Sequence, residues 1–370
     1  MRPDGAVQTV TKSDGELRLR AIPGSEHDYM MALLGAMPPG FITQHPYAGA
    51  QVMDAGDVTK GVDVVHIGWP EHIFGRAAGE NAEFDARYVT FLDVLADSPA
   101  RVVWTLHNRR PHLWEAERGR ELYRRVAEVA DGLIHHSEWG MRLMRAELPF
   151  TTEAKHVVIP HGHFGDQLRL SKSRAEVEAQ LGLRPCAMRF GVLGRPQREK
   201  QVEMILRAFE RGGQRSHQLV VTAYDESTPR SRDPRIVFLS RKSWMLRDEV
   251  AHCTHVCDGL VSAHSGDTYL TSGISADAVG IGAAMLAPDW AFFHETLGDA
   301  AFYHANTESS LARLFATITH DELTDKKSAM RALQPRFAWP GLAARTIEFY
   351  HSIGRKPNRQ RLSNACEPTV

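Results

Sequence analysis

Short apolar runs alternate along this chain with longer stretches whose apolar residues recur at helical spacing. In the first half the runs are Leu17–Ile22, Asp63–Ile67, Arg101–Leu106, Gly132–His135 and His156–Ile159. In the second half they are Met188–Leu193, Gln218–Thr222, Arg235–Leu239, Asp258–Ser262 and Ala283–Ala287. Each is about five residues long and rich in Val, Ile or Leu, which suits a strand covered on both faces. Between them, Phe84, Tyr88, Phe91, Leu92 and Leu95 fall at i, i+4, i+7, i+8 and i+11, one helical stripe. Val202, Ile205, Leu206 and Phe209 repeat it, and Gly212-Gly213 ends that helix. Strands alternating with helices predict right-handed βαβ crossovers and parallel sheets, an α/β fold.

The length, 370 residues, suits two domains. A break is expected near Gly165–Lys172, where a strand has ended at Pro160 and polar residues run to Arg174. A second falls near Leu333–Trp339, where Pro335 interrupts helix, and Pro340–Ile353 reads as a last helix. The expected division is therefore a Rossmann-like domain over 1–167, a second over 168–335, a final helical segment over 336–353 and a polar tail over 354–370, expected to be disordered.

Hydrophobic residues make up 43% of the chain and charged residues 24%, as in ordinary globular proteins. Lys and Arg (44) balance Asp and Glu (45), so nucleic acid is not an expected partner. The cysteines are Cys186, Cys253, Cys257 and Cys366, and the segment Met1–Arg20 lacks the apolar core of a signal peptide. Free thiols in a reducing cytoplasm are the expectation. No run reaches the roughly 18 apolar residues needed to cross a bilayer, so any membrane contact is expected to be peripheral, at the inner leaflet.

The segment with the most chemical content is Phe190-Gly-Val-Leu-Gly-Arg-Pro-Gln-Arg-Glu-Lys200, which reads strand, glycine turn, spaced cations, helix start. Such a turn directs backbone N–H groups at a helix N-terminus, where an anion is favoured. Arg195 supplies a planar fork for a phosphate and Lys200 a point charge. A plain βα turn with two solvated cations would read the same way.

Gly194-Arg195-x4-Lys200, with Glu199 before the lysine and Val-Glu-Met-Ile-Leu-Arg-Ala-Phe209 after it, resembles the donor loop of GT-B glycosyltransferases related to family 4. Ser275-Ala-Asp277-Ala-Val-Gly-Ile-Gly282-Ala-Ala-Met-Leu-Ala287 resembles their segment Glu-Ala-x-x-x-Gly-x-Pro-Val-Ile. Arg336-Phe-Ala-Trp339 and Arg345-Thr-Ile-Glu-Phe-Tyr350 resemble the final helix, which in those enzymes crosses back onto the first domain. In the first half, Asp63-Val-Val-His-Ile-Gly-Trp69-Pro70-Glu71, Val103-Trp-Thr-Leu-His107-Asn108-x-x-Pro111-His112 and Val158-Ile-Pro-His161-Gly-His163 resemble bacterial exopolysaccharide glycosyltransferases, among them the xanthan β-mannosyltransferase. The resemblance implies two Rossmann-like domains whose parallel sheets face a central cleft, acceptor on the first and nucleotide sugar on the second. It implies transfer of a hexose from a UDP- or GDP-linked donor to a glycan, glycolipid or small-molecule hydroxyl. The nucleotide sugar is a co-substrate, and no further cofactor is expected.

Two departures shape the mechanism. Retaining family-4 enzymes carry a Glu-x7-Glu pair; here the later position is Asp277 and the earlier one is Tyr269, which cannot replace a carboxylate. Instead the loop reads Asp267-Thr-Tyr-Leu-Thr271-Ser272-Gly273, whose hydroxyls and N–H groups suit phosphate oxygens at a helix start, or simple N-capping. Asp277 is a candidate acceptor for ribose hydroxyls, or an ordinary first-turn acid. Secondly, the glycine usual after the donor lysine is Gln201. These features favour inversion, with a general base from the cleft face of the first domain. His107, at the end of its strand, is the first candidate and Glu71 the second. Asp28, Asn108 and His161 are acceptor-side candidates.

No Asp-x-Asp occurs, so metal-independent chemistry is expected. His252-Cys253-x-His255-x-Cys257 does not offer two ligand pairs from separate turns, and no metal is expected there. His135-His136 and His161-x-His163 read as strand-end, loop-anchoring histidines. Asn108-Arg-Arg-Pro-His-Leu-Trp114 with Arg118, Arg120, Arg124 and Arg125 is either a solvated face interleaved with Glu115, Glu117 and Glu121 or a contact for anionic headgroups or an anionic acceptor. The alternatives are a catalytically silent sugar-nucleotide-binding paralogue, a retaining family-4-like transferase and a sugar-nucleotide epimerase. No Gly-x-Gly-x-x-Gly follows a strand and no Walker A sequence occurs, which argues against NAD-dependent and P-loop enzymes.

Overall fold

A computed structural model describes residues 17–22, 27–39, 58–73, 82–111, 114–148, 153–168, 172–194, 198–239, 247–265 and 269–355. Arg195, His112, Asp267 and residues 356–370 lie outside them.

Among the described residues the first half holds five strands, β1 (Leu19–Ile22), β2 (Val64–Ile67), β3 (Arg101–Leu106), β4 (Gly132–His135) and β5 (Lys155–Val158). They form one parallel sheet in sequential order. Its helices are α1 (Asp28–Gly35), α2 (Ala82–Asp97), α3 (Ala116–Val129) and α4 (Glu138–Glu147). The stripe Phe84, Tyr88, Phe91, Leu92 and Leu95 is buried on α2 against Val65, Ile67, Val102 and Trp104 of the sheet.

The second half holds α5 (Arg174–Gln180), β6 (Met188–Val192), α6 (Val202–Gly212), β7 (His217–Val221), β8 (Ile236–Phe238), α7 (Arg247–His255), β9 (Gly259–Val261), α8 (Gly273–Ile281), β10 (Ala284–Pro288), α9 (Ala291–Leu297), β11 (Ala301–His304), α10 (Glu308–Thr317) and α11 (His320–Leu333). Its strands form a parallel sheet in the order β11-β10-β9-β6-β7-β8. The chain leaves β6 towards β7 and β8, then returns to β9 on the other side of β6. Loops after β6 and β9 therefore diverge, and the crevice between them is where open α/β sheets bind ligands.

All ten expected strands are present, with ends shifted by one or two residues. The sequence reading missed β11. Its Phe302 and Tyr303 are only half-buried, because it is the edge strand beyond β10. An amphipathic run of four residues carries too little periodicity to separate from loop.

The last helix, α12 (Trp339–Ser352), leaves the second half and lies on the first sheet. Leu342, Ala343, Phe349 and Tyr350 pack with Leu19, Val64, Val103 and Ile134 from four of its strands. Polar contacts fix the register. Tyr350 Oη lies 2.6 Å from His66 Nδ1, and Arg101 donates to the Tyr350 carbonyl at 2.6 Å. His66 is fully buried on β2, with Nε2 2.7 Å from Thr105 Oγ1.

The connection between the halves is tied down by glycine. A Cβ on Gly165 would lie 2.2 Å from the Gly280 carbonyl oxygen of α8, so the two backbones touch where no side chain fits. Leu270, from the loop after β9, is buried in the core of the first half.

Among the described residues no helix is long and apolar enough to cross a membrane. Cys253 and Cys257 are buried, Cys257 Sγ donating to the Cys253 carbonyl at 3.1 Å.

Candidate functional site

The C-terminal ends of the first-sheet strands deliver a cluster of rings and polar groups to one edge. β1 leads to His27 and Tyr29, β2 to Trp69 and Glu71, β3 to His107 and Asn108, β4 to His136, and β5 to His161. Trp69 is sandwiched between His27 (ring centroids 3.8 Å) and His107 (3.9 Å, planes within 3°). Tyr29 meets His107 edge-on at 4.6 Å. His107 Nδ1 lies 3.0 Å from His136 Nε2, and His136 Nδ1 lies 3.0 Å from the Ile159 carbonyl. Burial, then the neighbouring imidazoles of His136, His161, His27 and His66, hold His107 well below the ordinary imidazole value, so the ring is neutral.

Glu71 sits in a 3-10 turn, Pro70–His72, and is 7% exposed. Tyr123 of α3 donates to its carboxylate at 3.1 Å and also hydrogen-bonds the Asn108 side chain. Burial pushes the Glu71 carboxyl up to about 7. An ordinary glutamate releases its proton near 4.5, so between those values the folded state binds more protons than the unfolded chain. Stability then falls as pH rises through that window. The shift corresponds to a cost of about 3 kcal/mol once ionisation is complete. Glu71→Gln removes this titration and should melt higher than the parent at pH 8, with most of the difference gone at pH 5 and nearly all of it at pH 4. Equal melting temperatures at both pH values would refute the desolvation of Glu71.

On the second sheet, β6 runs into Gly194, whose φ of +102° suits glycine. A Cβ there would lie 2.6 Å from Lys200 Nζ, so the turn and the ammonium are in contact. Lys200 follows in the 3-10 turn Arg198–Lys200 and reaches back towards the Leu193 carbonyl at 3.4 Å. Gln201, where the resembled loops have glycine, adopts the same left-handed region, φ 43° and ψ 41°. The loop path is thus the one a glycine would permit, held here by a residue that rarely adopts it. Ser265 N–H donates to the Glu199 carbonyl at 2.6 Å, tying the loops after β6 and β9 together.

α8 opens the other wall. Ser272 is its N-cap, the side chain accepting from Ser275 N–H at 3.3 Å. The capping alternative therefore accounts for the Ser272 hydroxyl oxygen. Thr271 differs: its Oγ1 is buried and has no hydrogen-bond partner among the described residues. Gly273 begins the helix exposed, with open space where a Cβ would be. Asp277 is half-buried one turn further along α8.

The two edges meet. Asn108, after β3, pairs with Tyr269, after β9, in a single antiparallel bridge. Glu295 of α9 accepts from Glu138 N–H and, at 2.8 Å, from Trp139 N–H at the start of α4. A small cavity lies between, lined by His136 and His161 on one side and Thr271, Ser275 and Thr296 on the other.

No protein-family model matches the chain, and no curated protein matches it. Solved structures do. HepE of Anabaena in complex with UDP and glucose is 12% identical with a TM-score of 0.65, over 91% of this chain and 100% of that one. A glycosyltransferase from Rickettsia africae is 13% identical with a TM-score of 0.63, over 91% and 98%. Sucrose-phosphate synthase from Thermosynechococcus elongatus is 14% identical with a TM-score of 0.61, over 79% and 73%.

The chain has the GT-B fold.

Within the GT-B frame, His161 of the first half and Thr271, just before α8, line the same small cavity, and Asn108 pairs with Tyr269. His107 and Glu71 share the strand-end edge with His161, Asp277 lies on α8, and Gly194 and Lys200 lie on the loop after β6. Asp28 begins α1 with its side chain exposed, apart from the buried ring cluster. Four of the arginines after β3 are engaged in ion pairs: Arg109 with Glu147, Arg118 with Asp85, Arg124 with Glu121 and Glu128, and Arg125 with Glu121. They read as a charge-balanced face, and Arg109, Arg118 and Arg124 with Tyr123 line a pocket of about 660 Å³ between α3 and α4. The sequence reading did not single out Tyr29, His264 or Asn306. Asn306, itself left-handed at φ 52°, clamps the backbone of His264 by bonds of 2.7 and 3.2 Å and so shapes the loop after β9. An asparagine just before the helix-capping Thr307 was the signal available.

Proposed function

We propose that this chain is a glycosyltransferase that moves a hexose from a UDP- or GDP-sugar to a hydroxyl of a glycan, glycolipid or small molecule, with inversion and without a metal ion. The observation that carries the reading is the apposition of two strand-end edges. One offers neutral His107 together with Glu71; the other offers a glycine turn in contact with Lys200, tied through Glu199 to the loop after β9 that precedes α8. The structural neighbours support it: HepE was solved with UDP and glucose, and a trehalose-6-phosphate synthase of similar fold with UDP-2-fluoro glucose.

In this reading residues 168–335 hold the donor and 1–167 the acceptor. Gly194, Arg195 and Lys200 take the diphosphate, together with Thr271, Ser272 and Gly273, and Asp277 takes the ribose. Charge that develops on the leaving diphosphate is met by fixed cations and N–H groups, which need no reorganisation during the reaction. His107 removes the acceptor proton, with Glu71 as the second candidate. Asn108, His161 and Asp28 flank the acceptor.

The test is turnover of UDP- and GDP-sugars in the presence of EDTA, with the product examined by NMR. Free nucleoside diphosphate and a β-linked product from an α-linked donor are expected. An α-linkage would show retention, and an isomerised nucleotide sugar without transfer would show an epimerase. Activity that EDTA abolishes and Mg²⁺ or Mn²⁺ restores would count against metal independence.

Lys200→Ala and Arg195→Ala test the donor site separately. Each removes a charge-assisted phosphate contact, a loss of about 1.5–3 kcal/mol. By calorimetry, affinity for the nucleoside diphosphate should fall by about 10–150-fold with the fold intact. Unchanged affinity in both variants would place the diphosphate elsewhere.

A further inference from the structure

We infer that His136 is a positioning residue which, through a fixed order of protons, keeps Nε2 of His107 as the ring's unprotonated lone pair, ready to take the proton of the acceptor hydroxyl. This rests on the glycosyltransferase reading above.

The order follows from which atoms can donate. The Ile159 carbonyl can only accept, so its 3.0 Å contact with His136 Nδ1 puts the proton of that neutral ring on Nδ1. His136 Nε2 is then a lone pair. Its 3.0 Å contact with His107 Nδ1 requires the His107 proton to sit there. Nε2 of neutral His107 is left as a lone pair, and this buried atom has no hydrogen-bond partner among the described residues. Both rings are neutral because burial and the surrounding imidazoles oppose a charge.

The relay is anchored at both ends. Ile159 N–H donates to the His135 carbonyl at 2.8 Å, so the terminal acceptor is held by the β4–β5 ladder. At the other end, the flat stack on Trp69 and the edge of Tyr29 leave the His107 ring no freedom to flip. The arrangement does with a backbone carbonyl and a second imidazole what a carboxylate does for the histidine of a Ser-His-Asp triad: it selects the tautomer.

In the transfer step, the acceptor hydroxyl gives its proton to His107 Nε2. An oxygen electron pair forms the bond to the anomeric carbon. The bond from that carbon to the diphosphate breaks, its pair leaving on the phosphate oxygen. His107 becomes an imidazolium, and its Nδ1–H bond to His136 becomes charge-assisted.

The experiment uses the full chain labelled with ¹⁵N in the histidine rings, with His107→Gln identifying the His107 signals. The parent should show His107 protonated at Nδ1 only. His136→Leu should move that proton wholly or partly to Nε2 and lower kcat by about 10²-fold, while donor affinity stays constant. His136→Gln should restore the tautomer and most of the rate, because its amide oxygen can accept from His107 and its NH₂ can donate to Ile159. An Nε2–H tautomer in the parent, or the same tautomer in His136→Leu, overturns the relay and leaves the glycosyltransferase reading standing. A displaced proton with unchanged kcat overturns the positioning role together with the assignment of His107 as base. Loss of donor binding in the parent would instead sink the function itself.

Discussion

His107→Ala should lower turnover by about 10²–10⁴, the usual loss when a general base is removed, while leaving affinity for the nucleoside diphosphate near that of the parent. The separation is expected because the proposed donor contacts come from the loop after β6 and the start of α8, whereas His107 follows β3 of the other sheet. Removing the ring also bares one face of Trp69, so a melting curve must accompany the kinetics. Glu71→Gln is the comparison. If Glu71 is the base, its titration near pH 7 predicts activity that falls as pH drops below that value. In that case Glu71→Gln abolishes the acid limb, and His107→Ala costs little. Full activity in His107→Ala would rule out the first assignment.

Phe349→Ala should destabilise the chain by about 3–5 kcal/mol, the range for removing a buried phenylalanine. Phe349 is 4% exposed on α12 and packs against the strands of the first sheet. Its ring lies where a Cβ on Gly132 would be, 2.8 Å from that position, so β4 is bare at this point to receive it. Alanine leaves a hole that neither a strand nor the hydrogen-bonded Tyr350 can close. Chemical denaturation would measure the loss; a change within about 0.5 kcal/mol, typical of a surface position, would mean α12 does not pack there. Tyr350→Phe removes only the hydroxyl from His66 and is the milder control.

Much of this was readable from the sequence. Strands covered on both faces announce themselves as unbroken apolar runs, and every such run is a strand. The glycine turn after β6 was legible because a glycine between a strand and a helix start marks a left-handed turn, and Gly194 has φ +102°. Other features have no local signal. His136 read as a loop-anchoring histidine, and its bond to Ile159 fits that reading. Its second bond joins the ends of β3 and β4, a relation set by strand pairing and not by spacing in the chain. Glu71 was a candidate by position, but neither the burial that pushes its carboxyl up nor the bond it accepts from Tyr123, 52 residues further on, has a local signal. Ser272 shows the opposite limit: a hydroxyl before a helix is ambiguous until the N–H it caps can be seen.

The placement of α12 and Leu270 bears on how such a chain can be recombined. The helix that completes the first half is encoded at the far end of the second, and a leucine of the second half completes the first half's core. Exchanging residues 1–167 for the first half of another chain of this fold would leave Phe349 and Leu270 facing strands they were not shaped for. A folded hybrid must therefore carry α12 along with the new first half and match the loop after β9 to it.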